Sequence, residues 1–297
     1  METVDTFGEE LPAPCRSAPS EAWALFEPLL RNHGKSGAIT ERVTQVLRFG
    51  VHFFGSNLAS LVPSVLETLT ISFEQSGFSS CMWIAGKIVQ RFGNSKEVAI
   101  LGSIRITYER MSVKSAQLLQ TIDPRVLPDG KVAFFAVSLI YDLSVVEDYV
   151  QLSRAMADFS PEIFYSASGL NTAVSMCIVG LKMIHTDIIF ASLDLLDIVF
   201  RPVKSPKGPD SGQNAYVDAA FSTFGFQVLG NLLDGLIGNL PEETLSTVIA
   251  IFRCAAERWS TEFVNWLPNL MQGLNGYSCT EEIRLKFMNE CIRWRSL

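Results

Sequence analysis

Histidines, cysteines and adjacent carboxylates are the side chains through which this chain could do chemistry, and they are thinly spread. His33, His52 and His185 are its three histidines, and none has a partner at a metal-binding spacing such as HExxH. Cys177 and His185 form a conceivable nucleophile pair, but structural roles for both are the simpler account. Glu147 with Asp148, and Glu242 with Glu243, are neighbouring carboxylates at expected helix starts. There they complement the helix dipole, and general acid–base work is the minor reading. The sequence has no GxGxxG after a strand, no GxxxxGK[ST] and no GxSxG. An enzyme is therefore not expected, nor is a metal or a cofactor.

What remains is a chemistry of binding. Asp187, Asp194, Asp197 and Arg201 fall on one stripe of a helix read over 186–201. One account is a solvated face with an Asp197–Arg201 pair, worth roughly a few tenths of a kcal/mol. The other is a contact for a basic segment of a partner protein. Trp266 and Trp294 are further candidate anchors, weighed against burial. The net charge of −7 argues against direct nucleic-acid binding, which needs clustered Lys and Arg to neutralise phosphate. A partner recognised by charge is expected to be basic.

The elements that must position these residues are helices. In 145–159, Val145, Tyr149, Leu152, Met156 and Phe159 make a narrow apolar stripe, with Glu147, Asp148, Gln151, Arg154 and Asp158 outside it. Over 186–201 the pattern recurs, Ile189, Leu193, Leu196 and Phe200 lining the apolar side. Between them, 163–181 carries no charge and is apolar nearly all round, as expected of a helix covered on both flanks. Such helices need stacked neighbours to complete a core. Mean hydropathy of +0.23 is high, but 163–181 holds Ser166, Ser168, Asn171, Thr172 and Ser175. A spanning helix needs roughly 20 mainly apolar residues, so a buried helix is preferred and no membrane insertion is expected. The six cysteines include no CxxC pair and suit reduced, buried thiols. No secretory signal is visible near Met1.

In chain order, 1–19 is rich in Glu, Pro, Ser and Gly and reads as a disordered lead-in. Helices are expected at 21–31 after Ser20, 41–54 after Thr40, 58–75, 81–92 and 96–120 after Ser95. Later ones lie at 216–238, 243–259, 261–274 after Ser260 and 281–294 after Thr280. The stretch 202–214 reads as a loop. Antiparallel pairs recurring at roughly 40 to 50 residues give an all-α fold over 20–297, an α-solenoid of about five to six HEAT-like helix pairs.

Several segments carry a family resemblance: SCMWIAGKIVQRFG at 80–93, VVEDYVQLSRAMADFSPEIF at 145–164 and IHTDIIFASLDLLDIVF at 184–200. LGNLLDGLIGNLPEETLSTVIAIF and FVNWLPNLMQGL follow in the same order. Together they resemble the C-terminal HEAT repeats of the importin-β nuclear transport receptors, in the transportin-3/importin-13 branch. The resemblance implies a cargo-binding portion of a nuclear import receptor, shuttling between nucleus and cytoplasm. Its partners would be protein cargo and, for the full-length receptor, Ran-GTP and nuclear pore proteins, with cargo released when Ran-GTP enters. The family's N-terminal repeats, with most of its Ran surface, have no counterpart, so a fragment or truncated product is expected. Two departures stand out. KVAFFAVSLIYDLS at 131–144 reads as an insertion, and the helix expected to hold arginines for phosphorylated Arg-Ser cargo has Asp194 and Asp197 instead, which repel phosphate. The alternative is a generic helical-repeat interaction scaffold with no part in transport.

Overall fold

The computed structural model describes residues 15–120, 136–165, 169–183, 185–201, 211–238, 240–274 and 280–293, and among them every regular element is a helix. The protein is an all-α helical-repeat fold. It divides into two compact units, Met1–Asp123 with Pro128–Thr172, and Pro124–Leu127 with Ala173–Leu297.

The first unit holds α1 (Ala18–His33), α2 (Gly37–Phe54), α3 (Val62–Ser76), α4 (Ser80–Phe92), α5 (Val98–Leu119), α6 (Ala136–Phe159) and the single turn α7 (Pro161–Phe164). Helices two apart in this order pack side by side: α1 on α3 on α5, and α2 on α4 on α6. The result is two layers, each an array of neighbours. The sequence of α4 explains its place between α2 and α6. It buries Cys81, Met82, Ile84, Ala85, Ile88, Val89 and Phe92 and leaves only the line through Lys87, Gln90 and Arg91 toward water. At Gly86 the α6 backbone packs directly on α4, and a Cβ there would be in ordinary van der Waals contact, 3.6 Å from Leu152 Cα.

Glycines with positive φ set the turns. Gly77 (φ 75°) ends α3 in the left-handed conformation, its N–H donating to the Phe73 carbonyl at 2.7 Å. Gly55 (φ 52°) breaks α2 from a 3-10 segment, Gly55–Leu61, after which Pro63 sits in the first turn of α3. The helix read at 58–75 is therefore two elements. A buried polar seam then ties α5 to α6. The Tyr108 and Ser153 hydroxyls are 3.1 Å apart, Tyr149 donates to Ser112 at 2.7 Å, and Ser112 donates to the Tyr108 carbonyl at 2.6 Å. The two tyrosine rings stack with centroids 6.2 Å apart.

The second unit repeats the scheme. α9 (Thr186–Phe200), α11 (Leu245–Arg258) and α13 (Glu281–Arg293) pack in succession, and α10 (Ser211–Ile237) lies on α12 (Ser260–Gly273). α8 (Gly169–Gly180) gives residues to both units. An aromatic cluster centres the core: Phe221 stacks on Trp259 at 3.8 Å, with Phe200 edge-on at 5.3 Å.

Other expectations shift. α1 begins at Ala18, so Ser20 lies inside it and Pro19 is buried in its first turn. Thr40 is inside α2 and does not cap it; its buried hydroxyl donates to the Gly34 carbonyl at 3.1 Å. The apolar run 163–181 is broken into α7 and α8, with 166–168 outside the described residues. The expected insertion is helical where it is described, because α6 starts at Ala136 and runs unbroken into the VVEDY segment; 131–135 lie outside the described residues. Residues 1–14 and 202–210 also lie outside them.

A Cβ on Gly169 would meet Tyr108 Cε1 at 2.4 Å. Gly169→Ala is expected to cost about 1–3 kcal/mol through overpacking. Tyr149→Phe, which removes only the hydroxyl from the seam, is expected to cost about 1 kcal/mol; denaturant midpoints measure both.

Candidate partner-binding surfaces

α9 is apolar enough to be covered on most of its circumference, burying Ile188, Ile189, Ala191, Ser192, Leu193, Leu195, Leu196, Val199 and Phe200. The polar stripe is what is left over. Asp187 is exposed in the first turn, where the helix dipole favours a carboxylate. Asp194 and Asp197 are half-buried. Arg201 Nε donates to Asp197 Oδ1 at 3.0 Å, and its second guanidinium arm bridges the other carboxylate oxygen. Asp197 keeps only 13 % of its side chain exposed against 67 % for Arg201, so its charge is already matched and turned from solvent. Of the three aspartates, Asp187 is thus the most exposed to solvent.

The other sequence candidates differ in burial. Trp266 is half-buried, its ring 5.5 Å from Phe221 and 6.1 Å from Phe226, and Trp294 lies outside the described residues. Cys177 is buried, and that burial pushes its thiol pKa up, the opposite of an activated nucleophile; His185 is exposed. Burial likewise raises Cys81 and Cys291 to about 12 and Cys254 to about 11. Glu242 and Glu243 do sit ahead of α11, in a 3-10 turn. Glu147 and Asp148 do not start a helix, because α6 begins earlier. Asp148 is half-buried instead, and desolvation pushes its pKa up to about 7 against the lowering effect of a Ser79 hydrogen bond, Glu147 adding to the rise. Among the described residues no group of three or more His, Cys, Asp or Glu is placed to hold a metal ion.

A second surface, on α2 and α4, went unmarked in the sequence. The outward side of α2 exposes Val46, Phe49 and Phe53, Phe49 by 69 %. These edge a groove of about 490 Å³ that runs down to Trp23 and Phe26 of α1 and to Ile88 and Phe92 of α4. The same two helices carry Arg42 and Arg48 on α2 and Lys87 and Arg91 on α4, with Glu41 the one carboxylate on either helix. The Arg48 guanidinium lies 4.8 Å over the Trp83 ring. Arg91 lies against the Gly55 backbone, where a Cβ would meet its Nη2 at 2.8 Å. By contrast, Arg110 on α5 is locked to Glu74 and Glu67 of α3 at 2.5–3.0 Å. An exposed aromatic is the sequence signal for the α2 face, but helical periodicity assigns such residues to a core by default.

Residues 13–119, which span α1 to α5, match the family described as the transportin-3/importin-13 fourth TPR domain. The match supports the resemblance of that segment to the transportin-3/importin-13 branch of the importin-β receptors. No curated protein sequence matches the chain. The α2–α4 surface therefore lies within the matched transportin-3/importin-13 segment, and the α9 stripe lies beyond it. The stretch Gly37–Ser76, also inside the match, is long and apolar enough to cross a membrane. It is nonetheless broken at Gly55, and its second half supplies Val65, Leu66, Leu69 and Phe73 to the core.

The ordinary aspartate pKa here is 3.8, and folding lifts that of Asp148 to about 7. Between those values the folded chain holds a proton that the unfolded chain has lost, so this residue opposes folding as pH rises, by at most ~1.4 kcal/mol per pH unit. The melting temperature of Asp148→Asn is expected to gain on that of the parent from pH 5 to pH 7 and then level off. A difference that stays constant over that range would mean that Asp148 ionises normally.

Proposed function

We propose that this chain is the cargo-binding portion of a nuclear import receptor, gripping protein cargo through a basic segment. In the intact receptor the cargo would cross the nuclear pore by contact with pore proteins and be released by Ran-GTP, the receptor shuttling between nucleus and cytoplasm. The observation that carries this reading is the match of residues 13–119 to a transportin-3/importin-13 domain, borne on five successive helices. The chemistry agrees: two layers of laterally packed helices offer long faces for another chain, and burial holds several thiols in their protonated, unreactive form. Release fits the same architecture. Each helix touches mainly its neighbours, so a ligand can shift the stack between arrangements in which cargo and Ran-GTP exclude one another.

Within this reading, Asp187 and Asp194 supply the contact for basic cargo, and Asp197 and Arg201 frame it. The probe is a fluorescein-labelled Lys/Arg-rich peptide titrated into the full chain. Charge reversal in Asp187→Lys/Asp194→Lys is expected to weaken binding by about tenfold, on the scale of ~1 kcal/mol per charge contact. Asp197→Ala, which removes a carboxylate already paired with Arg201, should change it less than about threefold. Unchanged capture by the double variant would remove α9 from the cargo surface, and added Ran-GTP failing to displace cargo from a receptor containing this segment would refute the release step.

A further inference from the structure

Independently of the α9 stripe, we propose that the outer face of α2 and α4 binds an acidic amphipathic peptide segment. Its apolar side chains would seat in the groove between α1 and α2, and its carboxylates would lie on Arg42, Arg48, Lys87 and Arg91.

Charge is the first argument. The chain carries a net −7, yet α2 and α4 together bear four cations against one carboxylate. Arg31, Arg110, Arg253 and Arg258 all meet carboxylates on their own or adjacent helices. Among the described residues, Arg42, Arg48, Lys87 and Arg91 have no such partner: Arg42 and Lys87 reach only Gln45 and Gln90, and Arg48 rests on Trp83. A pairing this neglected in an acidic protein leaves a site of stated sign.

Geometry is the second. Arg48 over Trp83 and Arg91 against Gly55 show that α2 and α4 run alongside each other, bringing Arg48 together with Lys87 and Arg91 of α4, while Arg42 lies about 120° round α2 from Arg48, beside Phe49. At 3.6 residues per turn, Phe49 lies between Arg42 and His52 on the exposed arc of α2, and Phe53 and Val46 follow toward the groove. Phe49 thus has a cation on either side, Arg42 toward the groove and Arg48 toward α4. A helix with leucine or phenylalanine along one side and glutamate beside it satisfies the groove and the cations at once, as in the helix-in-groove mode of recognition. Cation–π contact with Trp83 holds Arg48 in place beforehand, which lowers the cost of ordering it.

The test uses the full chain and three fluorescein-labelled helical peptides of equal length. The first carries Leu and Phe at i, i+3, i+4 and i+7 with Glu elsewhere; the second replaces Glu by Lys, and the third replaces Leu and Phe by Ser. The first is expected to bind at least about tenfold more tightly than either control, with affinity falling as salt is raised. Arg48→Glu/Arg91→Glu and, separately, Phe49→Ser/Phe53→Ser should each cost about tenfold. All the substituted side chains are exposed, and circular dichroism confirms the fold. Equal or tighter binding of the lysine peptide, or charge reversal without effect, overturns the proposal. So does a dimer that Phe49→Ser/Phe53→Ser dissolves in the absence of peptide binding, which would assign the groove to a second copy.

Discussion

A helix such as α4 must be covered on two flanks, and the chain meets that demand by placing α2 on one side and α6 on the other. Everything else in the first unit follows from this lateral packing. It requires the connections between successive helices to turn the chain back sharply, which is why Gly77 takes a left-handed conformation and Gly55 takes a positive φ before Pro63 opens α3. It requires close backbone approach at Gly86, and it brings Tyr108 and Tyr149 together deep between α5 and α6, where their hydroxyls must be satisfied by Ser153 and Ser112. Burial of this order is driven by apolar area, and the polar seam adds register more than it adds energy.

The same packing decides which charges can face a partner. A helix covered on most of its surface exports its polar residues through one narrow line, and what that line presents depends on its neighbours. On α9 the line is acidic, but Arg201 folds back on Asp197 and takes one of the three aspartates out of play. On α2 the open face is broader and lies alongside the line exported by α4, and the two helices together carry four cations on an otherwise acidic protein. Along α3 and α5 the neighbouring lines are opposite in sign, and Arg110 closes on Glu67 and Glu74. Binding surfaces in a layered helical protein are in this sense products of adjacency.

The same burial sets the protonation of the groups it covers. Cys81 and Cys177 are held as neutral thiols inside apolar layers, and the carboxyl that burial perturbs most, Asp148, faces Ser79 at the start of α4. The raised carboxyl pKa is a cost of placing Asp on a covered flank of α6, and it makes stability depend on pH.

The sequence by itself determined the helices, their approximate extents and their need for stacked neighbours, because an apolar stripe at 3.6-residue spacing is a local property of the chain. It also carried the family, through segments such as SCMWIAGKIVQRFG, which forms α4 within the matched stretch. Caps and breaks were less legible: Thr40 and Ser20 look like caps but lie inside helices, since the true ends depend on where the preceding turn can be packed. Only the tertiary structure decided that Phe49 and Phe53 stay exposed, that Arg48 stacks on Trp83 and that Asp197 is consumed by Arg201. Those outcomes depend on which helix lies alongside which, and lateral adjacency between elements two apart leaves no periodic trace in the residues of either one.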